Sequence, residues 1–254
     1  MAREVLRSKT FARDAANFIL TKARESFDQR DQFRIALSGG KTPRSVYAEM
    51  AKRDLPWEKI LFTFGDERCV PPENNESNFR MANEALFRPA SVPDSSILRM
   101  RGELEPAVAA KEYQAQLDAL ATKRGEKIFG HDLILLGLGD DGHTASLFPE
   151  TEALSETQRR VMANYVSKLN SWRLTFTFPL IFAARAVCFL IGPNKDPKLI
   201  ERIFSGDSAL PAVRVDQNAK SVIWIIEQKS WTTCSTSGFK NEIGDADSRR
   251  TPSS

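Results

Sequence analysis

The chain is poor in the residues that most often carry chemistry or crosslinks. It has two histidines and three cysteines in 254 residues. Cys69, Cys188 and Cys234 lie far apart without paired spacing, so neither a disulfide framework nor a zinc site is indicated, and a reducing compartment is expected. No apolar run approaches the roughly 20 residues needed to span a bilayer, and the N-terminal stretch MAREVLRSKTFARDAANFIL scatters charges through its apolar positions. The expectation is a soluble cytoplasmic protein with no membrane partner. There is no dense basic block: 36 basic residues stand against 33 acidic ones along the chain, for a formal charge of +3. That excludes the footprint of a nucleic-acid binder and suits a small anion better. Internal repeats and low-complexity tracts are also missing.

Ample material for a core is present, since 41% of the residues are hydrophobic. Short, nearly continuous apolar runs recur as FRIALS (33–38), KILFTFG (59–65), DLILLGLG (132–139), AVCFLIG (186–192) and SVIWIIE (221–227). Runs of this kind suit strands covered on both faces. Amphipathic patterns lie between them: FARDAANFILTKARESF, PRSVYAEMAKR, SNFRMANEALF, EPAVAAKEYQAQLDALATK and DPKLIERIFSG, the last closed by a glycine in the manner of a C-cap. The alternation predicts an α/β fold, a single three-layer Rossmann-like domain over residues 1–230 with a mainly parallel sheet between helices. After Trp231 the chain turns Ser/Thr-rich and poor in aliphatics, which predicts a flexible polar tail over 231–254, or a cloning or frameshift remnant.

Three stretches carry candidate chemistry. In FRIALSGGKTPRSVYAEM, Gly39 and Gly40 would let the backbone approach a ligand, Thr42 would cap a helix with Pro43 in its first position, and that helix would aim its free N–H groups at the same place. The alternative is an ordinary strand-to-helix connection, because the stretch is neither a Walker loop nor a dinucleotide fingerprint. In LFTFGDERCVPPENNESNFRMANEAL, Asp66, Glu67 and Arg68 follow a buried strand at the sheet's carboxyl end, where open α/β sheets bind ligands. Arg68 would offer a planar fork of donors to a phosphate; the alternative is a self-satisfied ion-pair network. Ser77 or Asn78 should begin the next helix, after a proline- and asparagine-rich surface loop.

The third stretch is LILLGLGDDGHTASLFPE. Three glycines allow a tight turn after the strand, and Asp140, Asp141 and His143 are presented there, with a helix expected to come next. His131 precedes the same strand, at the opposite edge of the sheet. With so few histidines and no carboxylate motif, no metal site is expected, and His143 reads as an acid or base. Asp141 either orients the imidazole or caps the next turn.

Taken in order, SGGKTP, FGDERCVPPENNESNFRMA, DLILLGLGDDGHTASLFPE and RLTFTFPLIFAARAVCFLIGPNKDPKL resemble the 6-phosphogluconolactonase family from about residue 10 to 228. The resemblance implies hydrolysis of a phosphosugar lactone in the oxidative pentose phosphate pathway. It implies His143 as the general base, Arg68 as a phosphate ligand and Lys168 as a second one, with Arg173 and Lys195 as further cations. Asp66, Gly39, Gly40, Lys41 and Thr42 fall in the substrate region it implies. Two departures stand out: VSKLNSWRLTFT lacks the prolines that flank the family's lysine, and Lys41 replaces the usual serine of Gly-Gly-Ser-Thr-Pro.

Opening a lactone needs an attacking water, a group to take its proton and a donor for the oxyanion, so no cofactor is expected. An ordinary imidazole, with a pKa near 6.5, is mostly neutral at cytoplasmic pH and available as that base. Asp141 or the substrate phosphate would raise its pKa, and the arginine and lysines would lower it. Two other functions compete. Glucosamine-6-phosphate deaminases share the frame, with Asp66 as the base, but they carry Asp-Glu-Tyr and Phe-Asn-Glu segments that this chain lacks. A non-catalytic sugar-phosphate sensor would need a helix-turn-helix segment, for which about nine residues before the first helix leave no expected place. The expected assembly is a monomer or weak homo-oligomer.

Overall fold

Parallel strands buried on both faces have no solvent side to carry polar residues, so each is written as an unbroken apolar run. Five such runs form β2 (Phe33–Leu37), β3 (Ile60–Phe64), β5 (Leu133–Leu136), β8 (Ala186–Ile191) and β9 (Ser221–Glu227) in the computed structural model, which describes residues 2–230. The sixth strand, β1 (Ala2–Ser8), lies at one edge, where Arg3 and Glu4 are exposed while Val5 and Leu6 are buried. The sheet is parallel throughout, in the order β1-β9-β8-β5-β2-β3. The expected α/β fold with a parallel sheet flanked by helices is therefore present. The tail expected from residue 231 onward lies outside the described residues.

Among the described residues seven α-helices connect the strands: α1 (Phe11–Arg30), α2 (Lys41–Met50), α3 (Asn78–Ala82), α4 (Pro106–Thr122), α5 (Phe178–Ala183), α6 (Pro197–Phe204) and α7 (Pro211–Asn218). The long helix α1 packs on α2 and over β2 and β9, while α7 packs on both α5 and α6. Past the end of α6, Gly206 adopts φ 82° and donates to the Ile203 carbonyl, the expected glycine stop.

A second sheet was not anticipated. It is antiparallel, in the order β4-β7-β6, from β4 (Asp66–Arg68), β6 (Val161–Val166) and β7 (Ser171–Phe176), and α4 packs against β6 and β7. One residue carries the chain from the large sheet into the small one. Gly65 donates its N–H to the Leu37 carbonyl at 2.9 Å and accepts from the Phe176 N–H at 2.8 Å, so both sheets are joined at the carboxyl end of β3.

The strand order places the ligand crevice. From β2 the chain goes on to β3 on one side, and from β5 it goes on to β8 on the other, although β2 and β5 are neighbours. Two adjacent strands whose connections leave in opposite directions open a gap at their carboxyl ends, the usual ligand position in open α/β sheets. The Gly39-Gly40 turn comes after β2, the glycine–aspartate loop comes after β5, and β4 arrives beside them from β3.

Candidate active site

The cleft at this point encloses about 160 Å³ and is lined by Ser38, Gly39, Asp66, Arg68, Asn78, His143 and the loop backbone around them. Residues from three separated stretches of sequence thus meet in one place. The glycines here do something other than admit a ligand to the backbone. A Cβ built on Gly39 would fall against Oδ1 and Cγ of Asn78, 2.6 Å from its Nδ2, and one on Gly139 would fall on the imidazole ring of His143, 2.8 Å from its Cγ. Each glycine is a seat for a functional side chain from elsewhere.

The start of α2 corrects one expectation. Thr42 is not its cap: the helix begins at Lys41 with Gly40 in the cap position at φ 104°, and no side chain caps it. A glycine takes that left-handed conformation without strain and lets the turn close two residues earlier than a cap at Thr42 would. Thr42 instead packs on Gly192, where an added Cβ would meet its Oγ1 at 2.6 Å, and Pro43 is the third helical residue. Gly40, Lys41 and Thr42 lie outside the cleft lining.

Asp66, Glu67 and Arg68 have three different occupations, so the ion-pair network does not form. Glu67 is buried and accepts from the backbone N–H groups of Arg68, Asn78 and Phe79 at 2.7–2.8 Å and from the Ser77 hydroxyl at 3.0 Å. Burial pushes its carboxyl upward in pKa, against those backbone donors. It acts as a staple for the N-terminus of α3, which begins at Asn78, one of the two expected starts; Ser77 is the cap and accepts from Arg80 N–H at 3.1 Å. Asp66 faces the cleft, receiving Ser146 Oγ at 2.8 Å and Asn78 Nδ2 at 3.3 Å. Arg68 donates to the Glu76 carbonyl and stands directly across the β4–β7 ladder from Arg173. Arg173 donates to Ser171 Oγ at 2.7 Å and to the Trp172 carbonyl at 3.3 Å. Neither arginine forms an ion pair among the described residues, and burial together with the nearby Arg68 holds Arg173 below the usual arginine range. Two adjacent guanidinium groups in want of an anion are a phosphate subsite in outline.

His143 is held from several sides. Its Nδ1 and its backbone N–H both bond to Asp141 Oδ1, and Phe148 stacks on the ring with centroids 3.9 Å apart. A ring that donates from Nδ1 to a carboxylate keeps its Nε2 lone pair free for a proton. Burial pushes the imidazole down to about 4, with Lys195 and Arg173 acting the same way and Asp66 and Asp140 opposing them. The other oxygen of Asp141 carries the Lys168 ammonium. Lys195 is bound to Asp140 at 2.7 Å. The two lysines therefore pair with the loop aspartates, whereas Arg68 and Arg173 stand together.

A second correction concerns the segment after His143. No α-helix begins there. Thr144 pairs with Leu147 in a short antiparallel bridge, Ala145 sits at φ 48°, and only a 3-10 turn over Glu152–Leu154 precedes β6. A non-glycine residue in that left-handed region costs on the order of 1 kcal/mol, held here by the bridge and by Thr144 Oγ1 donating to the Gly137 carbonyl at 2.9 Å. The strained turn brings Phe148 back onto the imidazole. Three side chains that sequence reasoning passed over belong to this site: Asn78, Ser146 and Phe148. Their signals were present only as a residue beside a helix cap and as parts of the SLF segment.

The family profile of glucosamine-6-phosphate isomerases/6-phosphogluconolactonase matches residues 7–224. The chain belongs to this family. Within it, a 6-phosphogluconolactonase of Nostoc sp. is 38% identical over 216 residues, covering 83% of this chain and 88% of the relative. Among family structures, that of 6-phosphogluconolactonase from Thermotoga maritima superposes with a TM-score of 0.78 at 27% identity, over 89% of this chain and 99% of that one. A monomeric glucosamine-6-phosphate deaminase also superposes, with a TM-score of 0.75 at 17% identity over 89% of this chain and 98% of its own, and that likeness shows the fold alone. Fold does not separate the two activities, so the side chains in the cleft must. Among the described residues of this family member, no group of three or more His, Cys, Asp or Glu side chains is arranged to hold a metal, and no helix is long and apolar enough to cross a membrane.

Proposed function

We propose that the cleft hydrolyses 6-phospho-D-glucono-1,5-lactone to 6-phospho-D-gluconate, with His143 as general base. The observation that carries this reading is an imidazole held neutral by burial, tethered through Nδ1 to Asp141, in the same cleft as Arg68. Similarity to proteins named 6-phosphogluconolactonase supports the substrate. Arg68 and Arg173 hold the phosphate at one end of the cleft. The lactone carbon then lies toward His143, whose Nε2 takes a proton as water adds to that carbon. Collapse of the tetrahedral oxyanion breaks the bond to the ring oxygen, and the imidazolium returns its proton to that leaving oxygen. Ser38 Oγ, buried without a partner and lining the cleft, is the hydroxyl left for the substrate. Asp141 fixes the tautomer, and Asp66, held by Ser146 and Asn78, faces the sugar.

The test is lactone hydrolysis measured against the spontaneous rate with EDTA present. His143→Ala should lower kcat by about 10²–10⁴ while KM stays near normal, because a general base acts mainly in the transition state. A folded His143→Ala protein that keeps most of its kcat removes the histidine from the mechanism. Ammonia released from glucosamine 6-phosphate would instead assign Asp66 as the base of a deaminase.

A further inference from the structure

At the crevice β2 parts from both neighbours, and the backbone just beyond it loses its ladder. β2 pairs with β5 only at Ile35 and Ala36, and with β3 no further than Leu37. Ser38 comes next, buried and lining the cleft, with an N–H and a C=O that still need partners. One phenol serves both: the Tyr47 hydroxyl accepts from the Ser38 N–H and donates to the Ser38 carbonyl, each at 2.9 Å. Tyr47 is fully buried on α2, so the helix reaches back across its own entry turn to hold the residue in front of it. The phenol's single proton is committed to the carbonyl, and Ser38 Oγ is left buried without a hydrogen-bond partner among the described residues.

We propose that Tyr47 is a positioning residue for substrate binding: its hydroxyl pins the Ser38 peptide so that Ser38 Oγ meets a hydroxyl group of the sugar. The proposal rests on the lactonase reading of the cleft. Two glycines follow Ser38, and such a pair has more backbone freedom than any other. Free to swing, Ser38 would have to be ordered at each binding event, and that ordering would weaken the contact. Fixed by the phenol, the hydroxyl is in place before substrate arrives. A polyol ring presents donors and acceptors together, which suits a serine hydroxyl that can act as either. The same latch steadies Gly39, the seat of Asn78, whose amide donates to Asp66.

Tyr47→Phe keeps the ring and removes only the oxygen. Followed by NMR, the Ser38 amide of this variant should exchange with solvent at least about tenfold faster than in the parent, relative to Ala36 in the same strand, because a local latch has opened and not the whole fold. KM for the lactone should rise about 3- to 10-fold, the loss of one neutral hydrogen bond, and by more than kcat falls. Ser38→Ala should raise KM by a similar factor with the latch intact, and the double variant should have the KM of either single one, because both remove the same contact. An unchanged KM in Ser38→Ala overturns the proposal whatever Tyr47→Phe does. So does a double variant whose KM rises by the product of the two single factors, or a Tyr47→Phe protein that loses Tm and keeps its KM. Failure of the lactonase reading would show separately, as parent turnover no faster than the spontaneous reaction, and the exchange of the Ser38 amide would still report on the latch.

Discussion

Replacing Gly139 with alanine adds one methyl group beneath the His143 imidazole and little else. Gly139 does not occupy the left-handed backbone region, so alanine meets no conformational penalty there. Its Cβ, however, falls on the ring, 2.8 Å from His143 Cγ where carbon atoms need about 3.5 Å or more. The ring has no room to shift in place, being bonded to Asp141 at Nδ1 and stacked on Phe148. It must rotate out and give up both contacts. The lost hydrogen bond to a charged group is worth about 1.5 kcal/mol, the lower end of the usual range because a quarter to a third of each side chain is solvent-exposed. For a domain of this size that lowers Tm by about 3–6 °C. With His143 in its proposed role, the catalytic loss is far larger, since a displaced base forfeits about 10²–10⁴ in rate. Lactone hydrolysis under saturating substrate, with Tm from a thermal scan, measures both. Gly139→Ala should be folded and about as inactive as His143→Ala, and the double variant should be no slower than either single one, because both remove the same interaction. A Gly139→Ala protein with kcat within threefold of the parent would refute the placement of the ring over this glycine.

Arg68→Ala and Arg173→Ala should each raise KM by about 10- to 150-fold, from a lost charge-assisted contact of about 1.5–3 kcal/mol. Inhibition by inorganic phosphate should weaken in parallel, and an unchanged KM for both would move the phosphate elsewhere. Acid should destabilise the protein through its histidines. His131 is fully buried, with Nε2 2.9 Å from Thr63 Oγ1, and burial pushes it down to about 3, while His143 is pushed to about 4. Between pH 6.5 and those values the unfolded chain binds protons that the native one refuses, so stability falls as pH falls. The slope is up to about 1.4 kcal/mol per pH unit for each histidine. Denaturant unfolding of His131→Gln between pH 6 and 4.5 should show a slope smaller by about that amount; an unchanged slope would mean that His131 titrates normally.

The chain's apolar runs were enough to identify five of the six strands of the large sheet. Strands β2, β3, β5, β8 and β9 are covered on both faces, so their burial is written locally, residue after residue, and needs no knowledge of the neighbours. The motif loops after β2 and β5 were legible for a related reason: glycines and aspartates that interrupt such runs mark strand ends. Edge strand β1 and hairpin strands β6 and β7 were not recognised, because a half-covered strand mixes polar and apolar residues and reads like a loop or helix start. Thr42 looked like a cap from residue type, yet Gly40 closes the turn through a backbone angle that residue type does not announce. Tertiary structure alone decided the working details of the site. Lys168 meets Asp141, Arg68 faces Arg173 and Asn78 fills the space over Gly39, each across a gap of sequence that only the crossing of two sheets at Gly65 brings together. Local pattern sets which segments become strands, since burial of each run is a short-range property. Which cation neutralises which carboxylate depends on distances between segments, and those exist only once the chain has folded.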